Sequence, residues 1–112
     1  MANRRLKGNT FRGAIIDTAP GTAGYWSEAV NARDHRIGQM HLYICGIFSG
    51  TVTLQFFRPE LNTWTVYDTY TDVGGEIIED YSETEWRVGV SSGNYTSGTI
   101  RVSIGYHNGE SK

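Results

Sequence analysis

Residues 40–56 read Met40-His41-Leu42-Tyr43-Ile44-Cys45-Gly46-Ile47-Phe48-Ser49-Gly50-Thr51-Val52-Thr53-Leu54-Gln55-Phe56. Met40, Leu42, Ile44, Gly46 and Phe48 alternate with His41, Tyr43, Cys45 and Ile47. Val52, Leu54 and Phe56 alternate with Thr51, Thr53 and Gln55. A period of two is the spacing of side chains on one face of a β-strand. Ser49-Gly50 between the two runs is a two-residue turn signal, so the stretch predicts a β-hairpin. Pro59 closes the second arm, because proline has no N–H for a sheet ladder.

The same period recurs downstream. Residues 63–71 (TWTVYDTYT) predict a strand with Trp64, Val66 and Tyr70 on one face and threonines on the other. Residues 72–75 predict a turn, 76–80 a short strand, and 85–91 a strand with Trp86, Val88 and Val90 inward. Residues 93–98 read as a loop and 99–106 (TIRVSIGY) as the last strand, ahead of a polar tail. Upstream, 13–17 (GAIID) predicts a first short strand. Residues 18–24, with a Pro-Gly pair, predict a loop. Residues 25–30 allow a strand, and Ser27 is alternatively the cap of a short helix running through Arg33. Seven or eight short strands with turns every 8–12 residues predict an all-β antiparallel sandwich, jelly-roll-like or immunoglobulin-like. Alternation fits sheets with one dry and one wet face.

The chain has 112 residues, enough for one core. The expected division is an extended basic arm over 1–12 and one sandwich domain over 13–112. Hydrophobic residues make up 38% and charged residues 20%, which suits a folded domain with a modest core. No apolar run reaches the ~20 residues of a membrane-spanning helix, so no membrane partner is expected. The opening MANRRLKGNTFRG lacks the apolar stretch of a secretory signal. The single Cys45 has no internal disulfide partner, and its apolar setting predicts a buried, inert thiol.

Chemistry is sparse. His35, His41 and His107 show no metal-ligand spacing, and no phosphate loop or nucleophile elbow is present. The stretch 72–85 carries six carboxylates. However, Ile77 and Ile78 interrupt it, and it lacks the calcium-loop spacing of an EF-hand. A solvated acidic strand that discourages edge pairing is the expectation. Catalytic residues, metal ligands and cofactors are therefore all expected to be none.

What remains is binding. Residues 1–36 hold six basic and three acidic side chains, and residues 37–112 hold four and nine. A basic arm on an acidic body suits contact between copies or with an acidic partner. Arg4, Arg5, Lys7 and Arg12 flank Leu6 and Phe11, which makes the arm a candidate interface with apolar anchors and charge partners. Four charges on a tail would hold nucleic acid weakly, so nucleic acid is not the expected partner. Trp64 and Trp86 are expected in the core. Tyr25 and Trp26 lie in an irregular region and are expected at an interface, where Trp, Tyr and Arg concentrate. A Trp–Tyr platform stacking on a sugar is the alternative.

From Trp64 to Ile104 the chain resembles the jelly-roll decoration (cement) proteins of tailed-bacteriophage capsids. The segments that carry the resemblance are TWTVYDTYTDVGGEII and ETEWRVGVSSGNYTSGTIRVSIG, about forty residues. The resemblance implies a virion structural protein, made in the host cytoplasm and bound without covalent bonds to the major capsid protein lattice on the capsid surface. It also implies association with its own copies, as dimer or trimer, and no enzymatic activity. The alternative is a carbohydrate- or receptor-binding module of a phage fibre or tail.

Overall fold

Alternation in the 40–48 segment does what the pattern requires. Met40, Leu42 and Ile44 are buried, while His41 and Tyr43 face solvent. The computed structural model describes residues 10–19, 21, 23–31, 39–79 and 84–108. These form β1 (Thr10–Thr18), β2 (Tyr25–Trp26), β3 (Val30–Asn31), β4 (Gln39–Gly50), β5 (Val52–Arg58), β6 (Thr63–Tyr70), β7 (Gly74–Glu79), β8 (Glu85–Val90) and β9 (Tyr95–Asn108). No helix occurs among the described residues, so the short helix allowed at Ser27 is not formed there. Instead the Ser27 hydroxyl accepts from the Val88 amide at 3.1 Å and donates to the Glu28 carbonyl at 2.9 Å, holding the link between β2 and β3 against β8.

The strands make two antiparallel sheets, β1-β9-β4-β7 and β2-β8-β5-β6, with β3 also on β8. β2 and β3 are two pieces of one interrupted edge strand, since they pair with the two ends of β8. Counted that way, pairing is nested: β1 with β9, β2/β3 with β8, β4 with β7, β5 with β6. A long hairpin rolled over on itself gives this nesting. The pairs β4·β9 and β5·β8 then complete the sheets. This is jelly-roll order.

The expected hairpin between β4 and β5 is absent. β4 lies in one sheet and β5 in the other. After a register shift at Ser49/Gly50, the Thr51 amide donates to the Asn94 carbonyl at 2.9 Å, and the chain crosses between layers. A strand that buries alternate residues looks the same whether its successor joins its own sheet or the facing one, so the pattern could not separate the two.

Residues 93–98 are not all loop, because β9 begins at Tyr95. β7 begins at Gly74, inside the expected turn. Phe11 and Arg12, read as part of the arm, lie in β1 opposite His107 and Tyr106. Arg4, Arg5, Leu6 and Lys7 lie outside the described residues, as does His35.

Ile16, Met40, Leu42, Ile44, Ile78, Ile100, Val102 and Ile104 from one sheet face Val52, Leu54, Trp86, Val88 and Val90 from the other. The molecule is 17 Å thick along its shortest axis, which fits two layers stacked about 10 Å apart. Where β1 meets β9, Gly13 and Gly105 are direct partners. A Cβ on Gly105 would sit 2.1 Å from the Arg12 carbonyl oxygen, and one on Gly13 would sit 2.1 Å from that of Ile104. At the sandwich edge the Tyr70 hydroxyl donates to a Glu76 carboxylate oxygen at 2.5 Å, tying β6 to β7 across the layers.

Candidate functional site

Two surfaces concentrate binding groups, and they lie on opposite outer faces of the sandwich.

The first is the outer face of β1-β9-β4-β7. Register places its side chains in rows across the strands: Gly13, Gly105, His41 and Ile77; Ile15, Ser103, Tyr43 and Gly75; Asp17, Arg101 and Cys45. Ile47 follows, opposite Thr99. Exposure is high at Ile47 (89%), Ile15 (65%), Tyr43 (57%) and Ile77 (56%). Three glycines leave backbone bare between these side chains. A shallow groove of about 270 Å³ runs past Ile15, Asp17, Tyr43, Cys45 and Arg101. Arg101 Nε lies 3.4 Å from Asp17 Oδ2, so the apolar field carries both signs of charge at one side. Cys45, expected in the core, is half-buried on this outer face, because Ile44 takes the inward position.

The second surface is the outer face of the other sheet. Trp64 was expected in the core beside Val66 and Tyr70. A bulge between Leu54 and Gln55 leaves Tyr67 without a strand partner. One extra residue reverses which face every later side chain meets. Tyr70 therefore packs against the core, and Tyr67 meets Phe56 and Trp86 there, while Trp64 and Val66 turn outward. Trp86 is in the core as expected, 5% exposed.

Outside, the Arg87 guanidinium carbon lies 4.3 Å from the Trp26 ring centroid and 4.5 Å from that of Trp64. β2 and β6 flank β8 and β5 on opposite sides, so the guanidinium stands between the two indoles. Its Nε–H donates to Gln55 Oε1 at 2.7 Å. Phe57 meets Trp64 edge-on with ring centroids 5.3 Å apart. Gly89 makes the stack possible: a Cβ there would lie 2.2 Å from the Tyr25 carbonyl oxygen and 2.7 Å from the Trp26 ring. Burial lowers the Arg87 pKa below the usual guanidinium range, yet it stays a cation at neutral pH.

Of the residues singled out from sequence, Trp26 belongs to this stack. Tyr25 is 49% exposed at the sheet edge. Arg12 lines a separate opening of about 590 Å³ with Ala29, Asn31, Glu85 and Tyr106. Phe11 is half-buried in β1. The structure does not gather Phe11, Arg12, Tyr25 and Trp26 into one site. Sequence reasoning missed Ile15, Tyr43, Ile47, Ile77 and Arg87. The signal for Tyr43 and Ile47 was present, since β4 is apolar at both parities. Arg87 gave none, because its partners come from β2 and β6. Among the described residues no cluster of three or more His, Cys, Asp or Glu is placed to hold a metal ion.

No family model matches the chain, and no curated protein matches it. Among solved structures, a variant of a family 29 carbohydrate-binding module studied for its mechanism of ligand recognition is similar in shape. It is 12% identical, with 88% of this chain and 81% of that chain covered and a TM-score of 0.47. So distant a likeness says nothing about ligand. The β-sandwich assignment stands on the strand pairing itself.

Proposed function

We propose that this chain is a non-catalytic structural module of a phage virion, decorating the capsid surface by non-covalent binding to the major capsid protein. The observation that carries this reading is the regular, uncovered apolar field on the outer face of β1-β9-β4-β7. An isolated exposed isoleucine is ordinary, but Ile15, Tyr43, Ile47 and Ile77 on one four-stranded face make a contiguous patch of the kind that marks a protein interface. Glycine rows keep the face flat enough to meet an extended protein lattice. Asp17 and Arg101 at its side can fix orientation against charges of a partner. Arg4, Arg5 and Lys7 would add salt-sensitive contacts, with Leu6 as an apolar anchor. A module that binds the assembled shell and not its free subunits stabilises the shell by mass action. Many copies on one particle multiply the effect.

The experiment is co-sedimentation with shells assembled from the capsid protein of the same genome. The expected result is pelleting with shells, weakened about tenfold or more by Ile47→Lys, since burying an isoleucine contributes about 1.5–3 kcal/mol. A chain that stays in the supernatant sinks the proposal. A second reading, a carbohydrate- or receptor-binding module of a fibre or tail, is favoured by the Trp26–Arg87–Trp64 stack on the opposite face.

A further inference from the structure

We infer that the outer face of the β2-β8-β5-β6 sheet is a binding site for an acidic saccharide, whose carboxylate the Arg87 guanidinium receives between Trp26 and Trp64. The inference names the ligand class of the second reading and rests on it. It is independent of capsid docking, because the two faces point in opposite directions.

The case begins with charge. Arg58 and Arg101 are well exposed, and each pairs with a carboxylate, Glu60 and Asp17. Arg87 is less exposed, yet among the described residues no carboxylate lies within ion-pair distance of it. Glu85, two residues away on the same face of β8, does not reach it. A partly desolvated cation normally gains an acid partner. Here Nε is held by Gln55, and the guanidinium carbon lies within 4.5 Å of two indole ring centroids. Those contacts restrain the guanidinium and leave its terminal N–H groups as donors. A guanidinium fork matches a carboxylate with two parallel hydrogen bonds.

The surroundings choose among carboxylate bearers. Trp26 and Trp64 are half-buried, so part of each indole surface remains open to the C–H groups of a pyranose ring. The Gln55 side-chain amide has its oxygen engaged by Arg87, and its N–H groups are suited to sugar hydroxyls. Among the described residues this sheet surface carries one cation, on a body whose residues 37–112 are acidic in sum. A dense polyanion such as nucleic acid or a run of phosphates is repelled by that body. A chain of mostly neutral rings with one carboxylate at intervals is not.

The test is isothermal titration of the full chain, with tryptophan fluorescence recorded in parallel, because two indoles line the site. The probes are a xylo-oligosaccharide bearing one glucuronate, its carboxyl-reduced neutral counterpart, and oligoglutamate. The expected result is binding of the glucuronate-bearing oligosaccharide at least about tenfold tighter than of either other probe, with a change in tryptophan emission. Arg87→Lys keeps the charge and loses the fork, and it should weaken binding about tenfold. Trp64→Phe should do so to a smaller degree, with the thermal transition of each variant recorded to establish folding. Equal binding of the neutral oligosaccharide overturns the inference and leaves the carbohydrate reading standing. Equal binding of oligoglutamate overturns it in favour of an acidic peptide. No binding of either saccharide up to about 10 mM removes both the inference and the carbohydrate reading.

Discussion

Single atoms decide several features of this molecule. Gly105 faces Gly13 so closely that one added methyl group meets a carbonyl oxygen of the neighbouring strand. Gly105→Ala should therefore lower stability by about 2 kcal/mol or more, the scale of forced overpacking, measured by urea denaturation. Tyr70 illustrates the opposite kind of fit. Burial first, then the hydrogen bond to Glu76 and the acidic charges of Glu76 and Asp68, raise its phenol pKa far above the usual 10.0. The neutral phenol is the favoured form in the folded state. Its contribution is fully present below pH 10 and is lost as pH climbs beyond that value, because the unfolded chain releases the proton first. Tyr70→Phe should cost about 1.5 kcal/mol at neutral pH and make the decline in stability above pH 10 shallower, as followed by denaturation at successive pH values.

At the scale of elements, what could be read from the chain and what could not have physical causes. The alternation in β4, β8 and β9 told which side chains face inward, because burial on one sheet face imposes a period of two. Sheet membership was not legible. The facing layer satisfies the same period, so Ser49-Gly50 read as a hairpin turn where the chain in fact crosses the sandwich. The Tyr67 bulge was likewise silent, and with it went the placement of Trp64, Tyr70 and therefore the aromatic stack. Tyr67 is the extra residue, so deleting it should leave Trp64 opposite Phe57 and Tyr70 opposite Val52 in an uninterrupted ladder. The expected outcome is a folded sandwich that keeps the Arg87 stack and loses about 1 kcal/mol with the Tyr67 contacts to Phe56 and Trp86, measured by urea denaturation. An inward-turned Trp64, with loss of the Arg87 stack, would contradict the role assigned to the bulge. Hydrogen exchange should rank the strands by position: β4, β9, β5 and β8 slowest as inner strands, and β2 and β3 fastest as two-residue edge segments.

For the whole molecule, nested pairing means that strands far apart in sequence must meet before either sheet is complete. Folding should be slow for its size, in the range of milliseconds to seconds by stopped-flow fluorescence. The charge division between the first 36 residues and the remainder suits contact between copies. Sedimentation equilibrium should give a dimer or trimer that dissociates when residues 1–9 are removed. A monomer in both forms would argue against self-association and leave the outer face of β1-β9-β4-β7 as the proposed means of attachment. The pairing of Thr10 with Asn108 has one more consequence. The backbone enters and leaves the domain through neighbouring positions, about 5 Å apart as in any antiparallel pair. A surface loop of an unrelated host could be opened and this sandwich grafted into the gap with little distortion of either partner. The same proximity makes the domain a natural subject for circular permutation, with new ends cut at the tip between β5 and β6.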